Sequence, residues 1–246
     1  MKHIILFSGG ASSSYMAWLV AQEVSKEDIV LLHTPTGAEH PDADRFRQEV
    51  ADYIGIEITE VSSGLNLWKC IIKNNCLPSQ FIPFCTRVLK VEPAEKYYKE
   101  LLLQGEDFII YVGFGKQEWR RLQRQATRFK TKGYKVKYPL YEKKLTSNIC
   151  KEIIKNEWKI CLPEPYKILK HNNCIPCFKG GKKHFYKVWK YYPEEFKKAV
   201  DMEELIGNTV FKDCSLLELV EKWEREDKWD DKQLKLFPDV ENLPSM

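Results

Sequence analysis

Met1-Lys2-His3-Ile4-Ile5-Leu6-Phe7-Ser8-Gly9-Gly10-Ala11-Ser12-Ser13-Ser14 is the stretch on which the fold turns. Residues 3–7 are nearly all apolar without alternation, the pattern of a strand buried on both faces. Residues 8–14 are small and polar, and Tyr15 to Ala21 continues as a helix. Strand, glycine turn and helix in that order open a parallel α/β unit. Glycines there let the backbone approach a ligand closely, and N–H groups at a helix start attract phosphate. A tight turn capped by a serine has the same spacing, so spacing alone leaves both readings open. The Gly-Lys-Ser/Thr of a Walker loop does not follow, and the Rossmann G-x-G-x-x-G is absent.

Further strands read at Ile29–Thr34, Ile56–Val61 and Phe108–Val112, with helices through Phe46 and Val50 to Ile54 and over Val88–Leu103. A basic helix is expected over about 117–129, a short edge strand at Lys135–Leu140, and a helix over 146–157. Residues 163–181 read as irregular. This β-α-β-α-β order predicts an α/β fold, a doubly wound and mostly parallel sheet. The expected division is 1–190 for the main domain and 191–246 for a helical C-terminal extension with an acidic tail.

The 246 residues include 43% hydrophobic and 30% charged side chains, enough for a sizeable core. No apolar run approaches the roughly 18–20 residues of a membrane span, and the N-terminal stretch is too short for a signal-peptide core. The expectation is a cytoplasmic protein without a membrane partner. The net charge of +4 conceals an asymmetry: residues 116–190 carry 21 Lys/Arg against 5 Asp/Glu, a balance of +16. Either a solvated lysine-rich face or a surface for a polyanion, tRNA or DNA included, accounts for it. The eight cysteines are too irregularly spaced for a disulfide scaffold. One tight pair, Cys174-Ile175-Pro176-Cys177, points to metal, cluster or redox chemistry.

Five blocks in order carry a resemblance. They are Ser8-Gly9-Gly10-x-Ser12-Ser13, His33-Thr34-x-Thr36-Gly37-x-Glu39-His40-Pro41, Phe84-Cys85-Thr86-Arg87-Val88-Leu89-Lys90, Gly113-x-x-x-x-Glu118-x-x-Arg121 and Asn173-Cys174-x-x-Cys177-Phe178. Over roughly residues 3–190 the chain resembles the phosphoadenosine phosphosulfate (PAPS) reductase family of PP-loop ATP pyrophosphatases, also called adenine nucleotide α-hydrolase-like proteins. The likeness is strongest to compact members of the type often found in phages. It implies ATP or a related adenine nucleotide (PAPS or adenosine phosphosulfate, APS) held by Ser8, Gly9, Gly10, Ser12, Ser13, Thr34, Gly37, Glu39 and Gly113. Lys90, Glu118 and Arg121 would serve the chemistry, with Mg2+ bridging phosphates.

Three departures stand out. Ser12 replaces an acidic residue of the family loop, and Gly115 replaces an arginine that often meets the nucleotide. The Glu-Cys-Gly-x-His tail of true PAPS reductases is missing. In cluster-bearing APS reductases a Cys-Cys pair precedes the Cys-x-x-Cys, and Cys85 matches the first of that pair. The resemblance therefore implies Cys85, Cys174 and Cys177 as metal ligands, for a [4Fe-4S] cluster first and zinc second. A zinc knot completed by Cys161, Cys76 or His171, and plain buried thiols, are the alternatives. Cys70 and Cys150 read as core fillers.

The implied reaction is adenylation at the α-phosphate with pyrophosphate release, in sulfur transfer. A sulfonucleotide reductase releasing sulfite, through another cysteine such as Cys214 or Cys161, is the alternative, and a non-catalytic nucleotide-binding protein the third. His184 and the aromatic run Phe185–Tyr192 are weighed as phosphate and base contacts against helical surface and core.

Overall fold

Five parallel strands form one sheet in the order β3-β2-β1-β4-β5. The computed structural model describes residues 1–225; the acidic tail expected at the end of the chain lies outside the described residues. The chain divides into two compact units, Met1–Cys70 with Phe84–Ile175, and Ile71–Pro83 with the chain from Pro176 onward. The boundary expected at 190 follows the extent of the resemblance; this partition groups Cys177 and the helix after it with the second unit.

In the first unit β1 (Lys2–Leu6) leads into α1 (Ala11–Glu23), β2 (Ile29–His33), α2 (Pro41–Ile54) and β3 (Ile58–Glu60). After α3 (Leu67–Asn74), a short α4 (Phe84–Thr86) runs through a π-helical turn, Arg87–Val91, into α5 (Glu92–Leu103). Then come β4 (Phe108–Tyr111), α6 (Trp119–Thr131), β5 (Lys135–Lys137), α7 (Pro139–Glu142) and α8 (Ser147–Asn156). Every residue of β2 is buried, as its unbroken apolar run requires. The edge strands β3 and β5 are short and carry exposed charges, which discourages pairing with another chain. Ile5, Phe7, Leu31 and Tyr111 pack on one face with Met16, Phe46 and Ile154 of α1, α2 and α8. Ile4, Leu32, Ile110 and Val112 pack on the other with Tyr98, Leu101 and Phe129 of α5 and α6. The sheet is doubly wound. Its chain runs outward from β1 to β3, then crosses to β4 on the far side, so strand order reverses between β1 and β4. Open α/β sheets bind ligands at that place.

Several boundaries differ from those read in the sequence. α1 begins at Ala11 rather than Tyr15, because Gly10, at φ −90° and ψ 153°, already serves as its N-cap. Ser12 and Ser13 thus belong to the helix's first turn. The helix leading into α5 starts at Phe84 instead of Val88, so Cys85 is helical. α3 went unread, although Leu67, Cys70, Ile71 and Asn74 have helical spacing. Only the first three residues of the 135–140 stretch are strand, since Pro139 starts α7.

In the second unit α9 (Lys182–Tyr191), α10 (Pro193–Ile206) and a helix over 216–225 share an aromatic core. The Trp223 ring lies 5.4 Å from Tyr186 and 5.7 Å from Trp189. Phe185 and Tyr192 are buried, Tyr186 and Trp189 are half-buried against Trp223, and Tyr191 is exposed. His184 likewise faces inward at its ring nitrogen: Nε2 accepts the Cys177 N–H at 3.0 Å.

Candidate functional site

Gly9 sits at φ +73°, and a Cβ there would lie 2.5 Å from Arg47 Cγ. Glycine is required twice over, for the left-handed backbone and for the room. Arg47 reaches from α2 to lie buried behind the loop, ion-paired with Asp44, and burial draws its pKa down. The Gly9 carbonyl accepts from Asn172 Nδ2 at 2.9 Å. Ser13 Oγ donates to the Gly10 carbonyl at 2.9 Å, so in its 3.2 Å contact with Ser8 Oγ it is the acceptor. The Ala11 N–H, first in the helix, donates to the Tyr166 hydroxyl at 3.1 Å. The N–H groups of Ser12 and Ser13 have no acceptor among the described residues. Open N–H groups at the start of a 13-residue helix are suited to an anion.

A cavity of about 900 Å³ opens above this loop within the first unit. Ser8, Gly10, Ser12 and Ser13 form one part of its wall, His33 and Thr34 of the β2 end another, and Gly113 a third. A Cβ on Gly113 would lie 3.2 Å from the Ser13 backbone, so the chain leaving β4 passes directly against the start of α1. Lys90, Arg121, Arg128, Lys151 and Lys170 bring positive charge to the cavity, and Glu95 and Glu118 bring negative. Arg128 and Lys132 both pair with Glu95 at 2.5 Å, and Arg121 pairs with Glu118. Lys151 and Lys170 have no carboxylate partner among the described residues. Burial, then the nearby Lys170, lowers the Lys151 pKa.

Nine of the sequence-derived nucleotide and reaction residues line this one cavity: Ser8, Gly10, Ser12, Ser13, Thr34, Lys90, Gly113, Glu118 and Arg121. Gly9, Gly37 and Glu39 are not among its lining residues. Gly37, at φ +64°, needs the absence of a Cβ because Asn66 Cβ would stand 2.7 Å away. Both Glu39 carboxylate oxygens accept from the Thr36 N–H, at 3.0 and 3.1 Å. Burial works against the charge on Glu39, but the Thr36 hydrogen bonds and Lys90 outweigh it and hold the carboxyl below its usual value. Glu39 braces a turn. His40 caps α2 by accepting from the Asp42 N–H at 3.2 Å.

Glu118 accepts from the Gly115 N–H at 3.2 Å while holding Arg121, whose guanidinium lies 4.7 Å over the Phe114 ring. At Gly115, where the resembling family has arginine, a Cβ would stand 2.9 Å from the Leu145 carbonyl oxygen. The departure therefore has a packing cause. His33, one of the residues that sequence reasoning passed over as a site member, donates from Nδ1 to the Phe7 carbonyl at 3.1 Å. Burial first, then Arg47, lowers its pKa to about 4, so the ring is neutral and Nε2 is a buried acceptor without a partner among the described residues. Tyr166, Lys170 and Asn172 were passed over as well; they lie in the irregular 163–181 segment, where no periodicity marks them.

Among the described residues, no three or more His, Cys, Asp or Glu side chains form a group able to hold a metal ion. Cys85 and Cys174 belong to the first unit and Cys177 to the second. The Cys174 thiol lies 3.1 Å from Thr36 Oγ1. No reaction step is routed through a metal or cluster. Cys70 and Cys150 are fully buried, with burial pushing the Cys150 thiol up to about 12. No helix among the described residues is long and apolar enough to cross a membrane.

An uncharacterized nin region protein of Escherichia phage lambda is 26% identical over 149 residues, half of this chain and 51% of the relative. An uncharacterized protein of Methanocaldococcus jannaschii is 25% identical over 207 residues, 82% of this chain and 47% of the relative. The chain thus spans about half the length of these curated relatives. Residues 2–157, which include the glycine loop and all five strands but stop short of Tyr166, Cys174 and Cys177, match the model of the phosphoadenosine phosphosulfate reductase domain. On that match over more than half its length, the chain belongs to the phosphoadenosine phosphosulfate reductase family.

Proposed function

We propose that the first unit binds ATP or a related adenine nucleotide in this cavity and acts at its α-phosphate. The observation that carries the reading is the convergence of the open Ser12 and Ser13 N–H groups with Lys90, Arg121, Lys151 and Lys170 around one space at the sheet's switch point. An acceptor oxygen attacks the α-phosphorus, the bond to the β-phosphate oxygen breaks, and pyrophosphate leaves with the electron pair. A sulfur nucleophile then displaces AMP. The chain's contribution is positioning and charge neutralisation: loop N–H groups on the phosphates, Lys90 and Arg121 on developing negative charge, Glu118 orienting Arg121. Magnesium would need carboxylates, yet Glu95 and Glu118 are engaged by arginines and Ser12 supplies none. The residues present fit neutralisation by cations.

The acceptor is proposed to be a nucleic acid. On α6, Arg120 and Arg124 are exposed, and the Arg120 guanidinium lies 5.4 Å over the half-exposed Trp119 ring. A cation beside an aromatic face suits a phosphate and its base. A second reading, sulfonucleotide reduction, is favoured by Cys174 following Asn173, which lines the cavity.

Calorimetry with ATP, PAPS and APS, followed by assays for pyrophosphate and sulfite, tests the proposal. Pyrophosphate from ATP supports adenylation; sulfite from PAPS or APS moves the assignment to reduction. Binding without either product makes the protein a nucleotide-binding module, and no binding by any of the three ends the reading.

A further inference from the structure

Tyr166 stands out among the side chains beyond the family-matched residues. It belongs to a 3-10 turn, Glu164–Lys167, yet its hydroxyl reaches the start of α1. The phenol oxygen accepts the Ala11 N–H at 3.1 Å, so that partner is a donor. Burial raises the Tyr166 pKa, so the phenol keeps its proton, and that proton has no acceptor among the described residues. A Cβ on Gly10 would lie 3.4 Å from this hydroxyl, which places it against the loop that lines the cavity.

A second, independent feature points to an anion at the same place. Lys151 Nζ lies 4.0 Å over the Tyr166 ring, and Lys170 is near enough to Lys151 to depress its pKa. Two ammonium groups with no carboxylate partner among the described residues line this one cavity. Holding like charges close costs free energy unless a ligand of opposite charge neutralises them.

We infer that Tyr166 is a phosphate-contacting residue of the nucleotide site, its hydroxyl proton donated to an oxygen of the phosphate chain with Lys151 and Lys170 balancing the charge. The Ala11 N–H holds the oxygen from behind, which restricts the hydroxyl before the ligand arrives and limits the freedom lost on binding. Asn172 secures the arrangement by its bond to the Gly9 carbonyl. The segment 164–173 is thereby an integral part of the phosphate site. This inference rests on the proposed nucleotide binding.

Tyr166→Phe tests it, because the ring, its packing and the Lys151 contact stay while one oxygen goes. ATP and adenosine binding are measured by calorimetry for parent and variant, with melting temperatures as the check on folding. A hydrogen bond to a charged phosphate predicts about ten-fold or greater loss of ATP affinity, with adenosine affinity unchanged. Weakening of ATP and adenosine by the same factor would overturn the inference and make Tyr166 a structural prop of the loop. Unchanged ATP binding would overturn it too. Should the parent bind no ATP, the functional reading fails first and this inference with it. In Lys151→Met with Tyr166 intact, ATP binding should weaken and lose part of its salt dependence; unaltered salt dependence would remove the lysine pair from the site.

Discussion

The turn after β1 and the turn after β4 meet at the same end of the sheet, and glycine serves opposite purposes in them. At Gly9 the backbone is left-handed and Arg47 fills the space behind it, while Ser12 and Ser13 beyond it line the cavity. At Gly115 the backbone is ordinary extended chain, and the missing Cβ admits the Leu145 carbonyl, which also accepts the Lys116 N–H at 2.9 Å. One glycine shapes the loop that borders the cavity; the other closes a packing contact. Both turns depart from the pattern that the resemblance implies, at Ser12 and at Gly115. The departures differ in kind, since Ser12 faces the cavity and Gly115 faces the protein.

The largest effect expected is at the first turn. Gly9→Val combines a left-handed backbone with overlap on Arg47, each costing about 1–3 kcal/mol, and should destabilise the fold by about 4 kcal/mol in denaturant titration. Gly64→Val is the matching control, with φ +76° and nothing within 4 Å, and should lose only the backbone part, about 1–2 kcal/mol. Equal losses in the two variants would show that the Arg47 packing carries no weight.

Next in size is a pH effect beneath the same turn. His33 has a folded-state pKa of about 4, below its ordinary 6.5, so the unfolded chain takes up the proton first. Its contribution is complete above pH 6.5 and is lost as pH falls toward 4, on the order of 3 kcal/mol. Asn can keep the hydrogen bond to the Phe7 carbonyl without titrating. The stability difference between parent and His33→Asn should therefore shrink by about that amount from pH 7 to 4. Parallel pH profiles would place His33 outside the buried environment described.

These residues also mark what could be read from the sequence alone. The strand at 3–7, the glycine turn and the order of elements were legible because each is written in consecutive residues with its own period. Nine cavity-lining residues were legible through short blocks with fixed spacing. Arg47, Leu145, Tyr166 and Asn172 were not, since each reaches the loop or the β4 turn from a distant segment and only tertiary packing brings it there. The cysteines mark the same limit. Cys85 and Cys174 lie 89 positions apart, and a likeness of spacing carried no information on whether their thiols converge.

The second turn yields a smaller effect. Gly115→Arg puts a Cβ 2.9 Å from a backbone oxygen and should cost about 2 kcal/mol without improving ATP binding. A gain in affinity with unchanged stability would contradict the packing account of this departure. Smallest is Ser12→Asp. A carboxylate in the first turn of α1 should stabilise the unliganded fold by about 0.3–1 kcal/mol and weaken ATP binding in magnesium-free buffer. Stronger magnesium-free binding would mean that the phosphates lie elsewhere.

The central claim is that a nucleotide's phosphates rest on the N–H groups at the start of α1. Amide chemical shifts, followed by NMR during an ATP titration, report on those groups directly. The account predicts that the Ser12 and Ser13 amides shift furthest and saturate at the dissociation constant found by calorimetry. Saturable ATP binding that leaves both amides unmoved would contradict it.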